Sequence, residues 1–187
     1  MLHQGTKRLE SQRFILRPFQ KDDAKAMLER WASDEEVTHF LTWKQHQNIQ
    51  VTQQILDDWI KQYQNLNYYN WAIIIKDYDH LPIGNISVVE VNEKTHLAVI
   101  GYCLSRQYWH QGVMSEVLDR VIDFLFNEVG FECIQSHHDP LNPHSGQVML
   151  KCGMTYEGTL RHSDWNNRGI VDACYYSILK DEYKKKG

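Results

Sequence analysis

The chain has 187 residues, of which 42% are hydrophobic and 24% are charged. This composition is typical of a globular protein with a sizeable core. The formal net charge of −4 argues against a general surface for nucleic acid or anionic membranes. No apolar run approaches the ~20 residues of a membrane helix, and the first residues lack an apolar signal core. We therefore predict one domain over residues 1–187, in the cytoplasm, with neither a nucleic-acid nor a membrane partner.

The first half of the chain alternates between strand-like and helix-like patterns. The predicted elements are a strand at 14–19, a helix from Asp22 or Asp23 to about Trp31, a polar stretch with aromatic residues at 35–47, a helix at 49–66, and strands at 71–75, 83–91 and 96–104. Alternate residues of a strand lie on one face. We therefore expect Ile86, Val88 and Glu90 to point to the same side of the sheet.

A glycine separates the strand at 96–104 from an amphipathic helix. The helix N-terminus offers unpaired backbone N–H groups and the positive end of a dipole. Gly112, just before the helix, has no side chain to keep a phosphate away. This arrangement is a candidate diphosphate cradle, although an ordinary strand-to-helix turn has the same pattern.

A second strand-to-helix unit follows, from the strand at 133–136 to a short helix. Asn142 is predicted as its N-cap, Pro143 as its first residue and Gly153 as its C′ terminator. By themselves these features indicate only a well-capped helix. Strands at 154–160 and 171–178, joined by a polar loop at 163–169, complete an α/β mixed sheet.

Two motifs point to a family. They are Tyr-Trp-x-x-Gly-x-Met-Ser-Glu, beginning at Tyr108, and Asn-Pro-x-Ser followed by Cys-Gly-Met, beginning at Asn142. With them the chain resembles the GNAT superfamily of N-acetyltransferases over residues 13–178, and within it the ribosomal-protein serine/alanine N-terminal acetyltransferases. Trp109 and Met114 depart from the superfamily pattern Arg/Gln-x-x-Gly-x-Gly/Ala. The resemblance implies a mixed, mostly antiparallel sheet of about seven strands, flanked by helices, whose two central strands splay to admit the pantetheine arm.

The resemblance also implies acetyl-CoA as the co-substrate. Backbone N–H groups of the glycine turn would hold its diphosphate, and the N–H of Leu104 would polarise the acetyl carbonyl as an oxyanion donor. Asn142 and Ser145 would contact the cofactor arm. The turn residues are Gln111, Gly112, Val113, Met114 and Ser115.

The amine acceptor needs a base, and three residues are candidates. An α-amine with a pKa of about 7.7–8 is partly neutral at pH 7, so a carboxylate reached directly or through one water is sufficient. By resemblance the base is Asp164, which could instead be a simple loop aspartate. Glu90 is the second candidate and His162 the third.

The leaving thiolate raises a separate question. Many GNAT enzymes have a tyrosine seven residues after the motif asparagine, where this chain has Met149. By resemblance, Ser145 takes over, and a hydrogen bond to the thiolate is sufficient because a thiol of pKa about 8.5 leaves well as an anion. The alternative for Ser145 is a local role in the first turn of its helix.

Aromatic residues are expected to line the acceptor pocket by family analogy, although a lid packed on the core is the commoner role for Trp and Phe. The residues are His39, Phe40, Trp43 and Trp165. The adjacent His137 and His138 should point to opposite faces of a strand, and no metal-binding spacing occurs, so we expect no metal site.

Three functions therefore stay open. The first is acetyl transfer to a primary amine, such as the α-amine of a ribosomal or other protein N-terminus. The second is acetylation of a small-molecule amine. The third is a non-catalytic module that binds acetyl-CoA. The oligomeric state is undetermined, with a homodimer as one alternative.

Overall fold

A computed structural model describes residues 1–184. Its eight strands are β1 (Leu9–Glu10), β2 (Phe14–Arg17), β3 (Asn70–Ile75), β4 (Pro82–Asn92), β5 (Leu97–Leu104), β6 (Cys133–His138), β7 (Thr155–Asn166) and β8 (Gly169–Leu179). They form one sheet in the order β1-β2-β3-β4-β5-β6-β8-β7. All neighbours pair antiparallel except β5 and β6. The predicted mixed, mostly antiparallel sheet is confirmed, with eight strands against about seven expected.

Helices cover both faces of this sheet. They are α1 (Ala24–Met27, extended by a 3-10 turn, Lys21–Asp23, and a π turn, Leu28–Ala32), α2 (Glu35–Thr38), α3 (Ile49–Gln62), α4 (Val113–Phe124, extended by a π turn, Leu125–Val129), α5 (Pro143–Lys151) and α6 (Lys180–Lys184). A further 3-10 turn spans Arg106–Tyr108. Within residues 1–184, no helix is both long and apolar enough to cross a membrane.

The central strands β5 and β6 separate soon after they meet. Their parallel pairing runs only from Leu97 and Cys133 to Val99 and Gln135. β5 then pairs with β4 alone, and β6 pairs with β8 alone. The expected splay is therefore present, and it opens a gap beside the last residues of β5.

The two faces of the sheet have different coverings. Ile100 and Leu104 of β5 pack into the main core with α4, whose apolar side includes Val117 and Leu118. Cys103 points the other way and packs with α1 and α3. We call the first the α4 face and the second the α3 face.

A β-bulge in β4 overturns one expectation. The register passes from Val88 opposite Ile100 to Glu90 opposite Val99, so Val89 is the extra residue. The inserted residue reverses the alternation of the strand. Ile86 and Val88 therefore point to the α4 face, whereas Glu90 points to the α3 face with Val99.

Several predicted boundaries also change. The expected loop at 163–169 is mostly strand, because β7 continues to Asn166 and pairs with Gly169. The helix predicted to end at 66 ends at Gln62. The first helical segment has Gln20 as its N-cap, and the carboxylate of Asp23 accepts from the Gln20 N–H at 2.8 Å. Asp23 is the N-cap of α1 itself, as predicted, but its side chain makes no capping bond there and binds back to Gln20 instead.

Candidate active site

Gly112 is the N-cap of α4 and has a φ of 71° and a ψ of 10°. The first backbone bond back to the cap joins the Glu116 N–H to the Gly112 carbonyl at 3.3 Å. Helix geometry thus leaves the N–H groups of residues 113–115 without intrahelical acceptors. The side chains of Val113 and Met114 are buried, so these two residues offer only their backbone to a ligand.

A cation that the motif does not predict lies beside this turn. Nη1 of Arg13 donates to the Gln111 carbonyl at 3.1 Å, and its Nε donates to the Glu116 carboxylate at 2.7 Å. Trp109, at the position where the superfamily has Arg or Gln, instead donates its indole N–H to the Leu104 carbonyl at 2.8 Å. The local motif gives no signal for Arg13 because the residue lies far away in the sequence, just before β2.

Near the end of β5, backbone groups point alternately to β4 and to the gap. The Ser105 N–H donates to the Ile83 carbonyl at 2.8 Å, on the β4 side. The Ile100 carbonyl accepts from the Ser136 hydroxyl at 2.8 Å, on the β6 side. Because backbone groups alternate along a strand, the N–H of Leu104 points toward the gap, where the predicted oxyanion donor would be needed.

The start of α5 closes the other side of the gap. Asn142 stands at the N-cap, but its side chain accepts no backbone N–H; its Nδ2 donates to Ser145 Oγ at 3.1 Å. The Tyr102 hydroxyl donates to the Ser145 carbonyl at 3.0 Å. Asn142 is therefore the N-cap in position, as predicted, but it makes no capping bond, and its amide instead orients the Ser145 hydroxyl. Met149 is buried in the main core, and Gly153 ends the helix with a φ of 80°, as predicted.

Two histidines join the two helix starts. The rings of His110 and His144 meet edge to face, with centroids 4.6 Å apart. His110 precedes the glycine turn and has a φ of 61°, while His144 belongs to the first turn of α5. The contact brings the two motifs to one site. Sequence reasoning missed it because nothing local relates the two residues.

Asp164 lies on the α3 face, next to a histidine that the sequence did not single out as functional. Its Oδ2 is 3.2 Å from Nε2 of His137, and both side chains are about one-quarter to one-third exposed. Its Oδ1 accepts from the Trp165 N–H at 2.8 Å. The His137 ring stacks on Tyr175, with centroids 5.1 Å apart and 28° between the planes. The two histidines of β6 point to opposite faces, as predicted.

The other two candidate bases lie apart from this pair. Glu90 is exposed on β4, and the bulge turns it toward the α3 face. His162 is exposed on β7 and has a φ of 50°. Its N–H donates to Asp172 at 2.9 Å, so its backbone is tied to β8.

The segment with the predicted acceptor residues is held by the tip of the β7–β8 hairpin. Nδ2 of Asn167 donates to the carbonyls of Thr38 and Trp43, at 2.8 Å each, and its N–H donates to the Leu41 carbonyl at 3.1 Å. His39 and Phe40 contact each other edge to face, while Trp43 packs partly on the α3-face core. Trp165 is 57% exposed. Asn167 thus holds the segment with His39, Phe40 and Trp43 against the tip of the hairpin that carries Asp164 and Trp165.

A buried carboxylate fixes the hairpin tip to the end of β6. Asp139 Oδ2 accepts from the Asn166 amide at 2.9 Å and from the Arg168 guanidinium at 2.6 Å. Burial favours a higher pKa for Asp139, but the Leu141 N–H, Asn166 and Arg168 together hold the pKa below its ordinary value. The ionised carboxylate therefore anchors the hairpin at neutral pH.

His138 and Cys103 are buried near the gap. His138 Nδ1 donates to the Asp139 carbonyl at 2.8 Å, and its Nε2 has no partner among residues 1–184. Burial lowers the pKa of His138, so the ring is neutral at pH 7. Burial raises the pKa of Cys103 to about 12, which makes it a poor nucleophile. In the described part of the chain, no group of three or more His, Cys, Asp or Glu is arranged to hold a metal ion.

Comparison with known proteins agrees with this architecture. The family profile described as "Acetyltransferase (GNAT) domain" matches residues 13–155. An uncharacterised N-acetyltransferase of Bacillus subtilis, YoaA, is 30% identical over 92% of this chain and 96% of its own length. The ribosomal-protein-serine acetyltransferase of Escherichia coli is 31% identical over 61% of this chain and 63% of its own.

Solved structures share the fold. The ribosomal L7/L12 alpha-N-protein acetyltransferase RimL, solved with coenzyme A, superimposes with a TM-score of 0.83 at 18% identity, covering 94% of this chain and 99% of its own. The profile spans most of the chain and includes both helix starts that flank the gap. The chain therefore belongs to the GNAT family of acetyltransferases and is an acyltransferase.

Proposed function

We propose that this protein transfers the acetyl group of acetyl-CoA to a primary amine, the α-amine of a ribosomal or other protein N-terminus. The observation that carries the proposal is the gap between β5 and β6. It has a turn with free N–H groups on one side and an aspartate–histidine pair on the α3 face. The relatives named for ribosomal-protein acetylation support this acceptor class.

In this proposal, each of the residues around that gap has its own role. The N–H groups of the Gly112 turn hold the diphosphate, and the ion pair of Arg13 with Glu116 lies beside them. The Leu104 N–H stabilises the oxyanion of the tetrahedral intermediate. The Ser145 hydroxyl, oriented by Asn142, donates to the departing thiolate. Asp164 assists removal of the amine proton, and Glu90 is the alternative carboxylate for this role.

The aromatic segment and the exposed Trp165 form the acceptor side in this proposal. An α-amine at a flexible chain end needs an open approach, and Trp165 and His39 are exposed there. The predicted single domain, the cytoplasmic location and the homodimer alternative stay predictions.

A thiol-release assay tests the proposal. Purified protein is mixed with acetyl-CoA and a panel of N-terminal peptides, amino acids and polyamines. We expect turnover with peptides that have a free α-amine. Turnover with small amines alone would identify a small-molecule enzyme. Binding of acetyl-CoA without turnover on any amine would favour a non-catalytic module.

Substitution of Ser145 tests the thiolate step. In Ser145→Ala we expect kcat to fall by about 10–100-fold, the equivalent of one hydrogen bond of ~1.5–3 kcal/mol to a charged group. Affinity for acetyl-CoA should change little, because this bond strengthens only in the transition state. Alanine is a good helix former, so the thermal unfolding midpoint should stay close to wild type. A wild-type kcat would reduce Ser145 to a structural residue.

A further inference from the structure

The proposed base, Asp164, is not alone on the α3 face. His137 lies near the end of β6, in the part of the strand that no longer pairs with β5. Its Nε2 is 3.2 Å from Asp164 Oδ2, while Asp164 Oδ1 is occupied by the Trp165 N–H. The carboxylate therefore has one oxygen fixed by its own backbone and the other directed at the imidazole.

The imidazole itself is held in place. Its ring stacks on Tyr175, which stands directly opposite in the β6–β8 register. With Nε2–H directed at a carboxylate, Nδ1 keeps the lone pair. The side chain is 30% exposed, so the ring is partly open to a ligand on this face of the sheet. Many proton-transfer sites contain a base whose ring is oriented by a hydrogen bond to a further group.

The geometry points to His137 as the group that accepts the amine proton, with Asp164 as its positioning residue. This inference rests on the proposed acetyl transfer and deepens it. A free imidazole has a pKa of about 6.5 and a free carboxyl of about 4, so an imidazole is better matched to an α-amine of about 7.7–8.

Proton transfer to His137 accompanies the transfer of the acetyl group to the amine. The neutral amine nitrogen attacks the thioester carbonyl, a C–N bond forms, and the carbonyl oxygen becomes an oxyanion. His137 takes one proton from the developing ammonium and becomes imidazolium, which the Asp164 carboxylate stabilises. The oxyanion collapses, the C–S bond breaks, and the thiolate leaves with the electron pair. The imidazolium then returns its proton to solvent.

Few other ionisable groups face this ring. β7 presents Asp164 and β8 presents the Tyr175 phenol. On the neighbouring strand β5, Val99 and Gly101 occupy the same face, and neither titrates. His138, next on β6, points to the α4 face. The Asp164 carboxylate is therefore the charge that most directly stabilises a protonated His137.

The test is the pH dependence of kcat/KM for wild type, His137→Gln, Asp164→Asn and the double variant. Wild type should show two acid-side ionisations, one of the amine and one of the base, so log kcat/KM rises with a slope near 2 at low pH. His137→Gln should lose about 100-fold or more at pH 7 and retain only the amine ionisation. The double variant should be little worse than the more impaired single variant, because the two residues act as a unit.

His80→Asn is the matched control. His80 is an exposed residue with a φ of 60°, a conformation that asparagine tolerates. The activity of the His80→Asn variant should equal that of wild type. If His137→Gln keeps wild-type rates and slope while Asp164→Asn is impaired, Asp164 acts directly and the inference is overturned. If wild type releases no thiol with any amine, the acetyl transfer itself fails and the inference fails with it. Unchanged unfolding midpoints separate both outcomes from misfolding.

Discussion

Gly112→Glu is expected to weaken acetyl-CoA binding by a hundredfold or more. The substitution places a carboxylate where the free N–H groups of α4 would meet the diphosphate. A hundredfold loss corresponds to about 2.7 kcal/mol, which is one or two amide contacts to a charged group at ~1.5–3 kcal/mol each. Isothermal titration calorimetry with acetyl-CoA measures the effect.

Gly112→Gln separates charge from strain. Both substitutions put a side chain of the same size at a φ of 71°, so both carry the same backbone cost. Apart from the neighbouring backbone, the atom of residues 1–184 that lies within 4 Å of an added Cβ is Nη2 of Arg13, at 3.6 Å, so the site has room for either side chain. The glutamine variant should bind more tightly than the glutamate variant. Equal affinity of a folded Gly112→Glu protein and wild type would remove the diphosphate from this turn.

Asp164→Asn is expected to lower turnover by ~10²–10⁴-fold. The change keeps the size of the side chain and the Oδ1 acceptor for the Trp165 N–H, but it removes the negative charge beside His137. The loss should shrink as pH rises, because more of the amine is then neutral without help. Steady-state rates across the pH range measure it.

Asp172→Asn is the control for this variant. Asp172 lies on β8 of the same hairpin, where its carboxylate accepts the His162 N–H. Its replacement should leave turnover near wild type. A pH–rate profile of Asp164→Asn that matches wild type would exclude Asp164 from the mechanism, and Glu90→Gln would then be the next variant to measure.

Local sequence signals predicted the backbone elements around the site well. Gly112 was identified because it stands between a strand and a helix without a side chain to exclude a phosphate, and Gly153 because a helix often ends at a left-handed glycine. The opposite orientations of His137 and His138 followed from strand alternation alone. The splay of β5 and β6 was expected from the family resemblance and is confirmed by their short pairing.

The unpredicted features depend on contacts between distant parts of the chain. Arg13 reaches the Gln111 carbonyl from the first strands, and His110 meets His144 across the gap. The bulge at Val89 reversed the expected side of Glu90, because one inserted residue shifts every later side chain to the other face. Asn142 follows the sequence rule for an N-cap in position but not in bonding, since its side-chain amide donates to Ser145 Oγ.

The most direct test of the account maps the acetyl group on a product. A peptide with a free N-terminal serine or alanine and one internal lysine is incubated with the protein and acetyl-CoA, then fragmented in a mass spectrometer. We expect one acetyl group, on the α-amine, and no reaction of the same peptide when its α-amine is blocked. Acetylation of the lysine side chain alone, or of neither amine while small amines react, would contradict it.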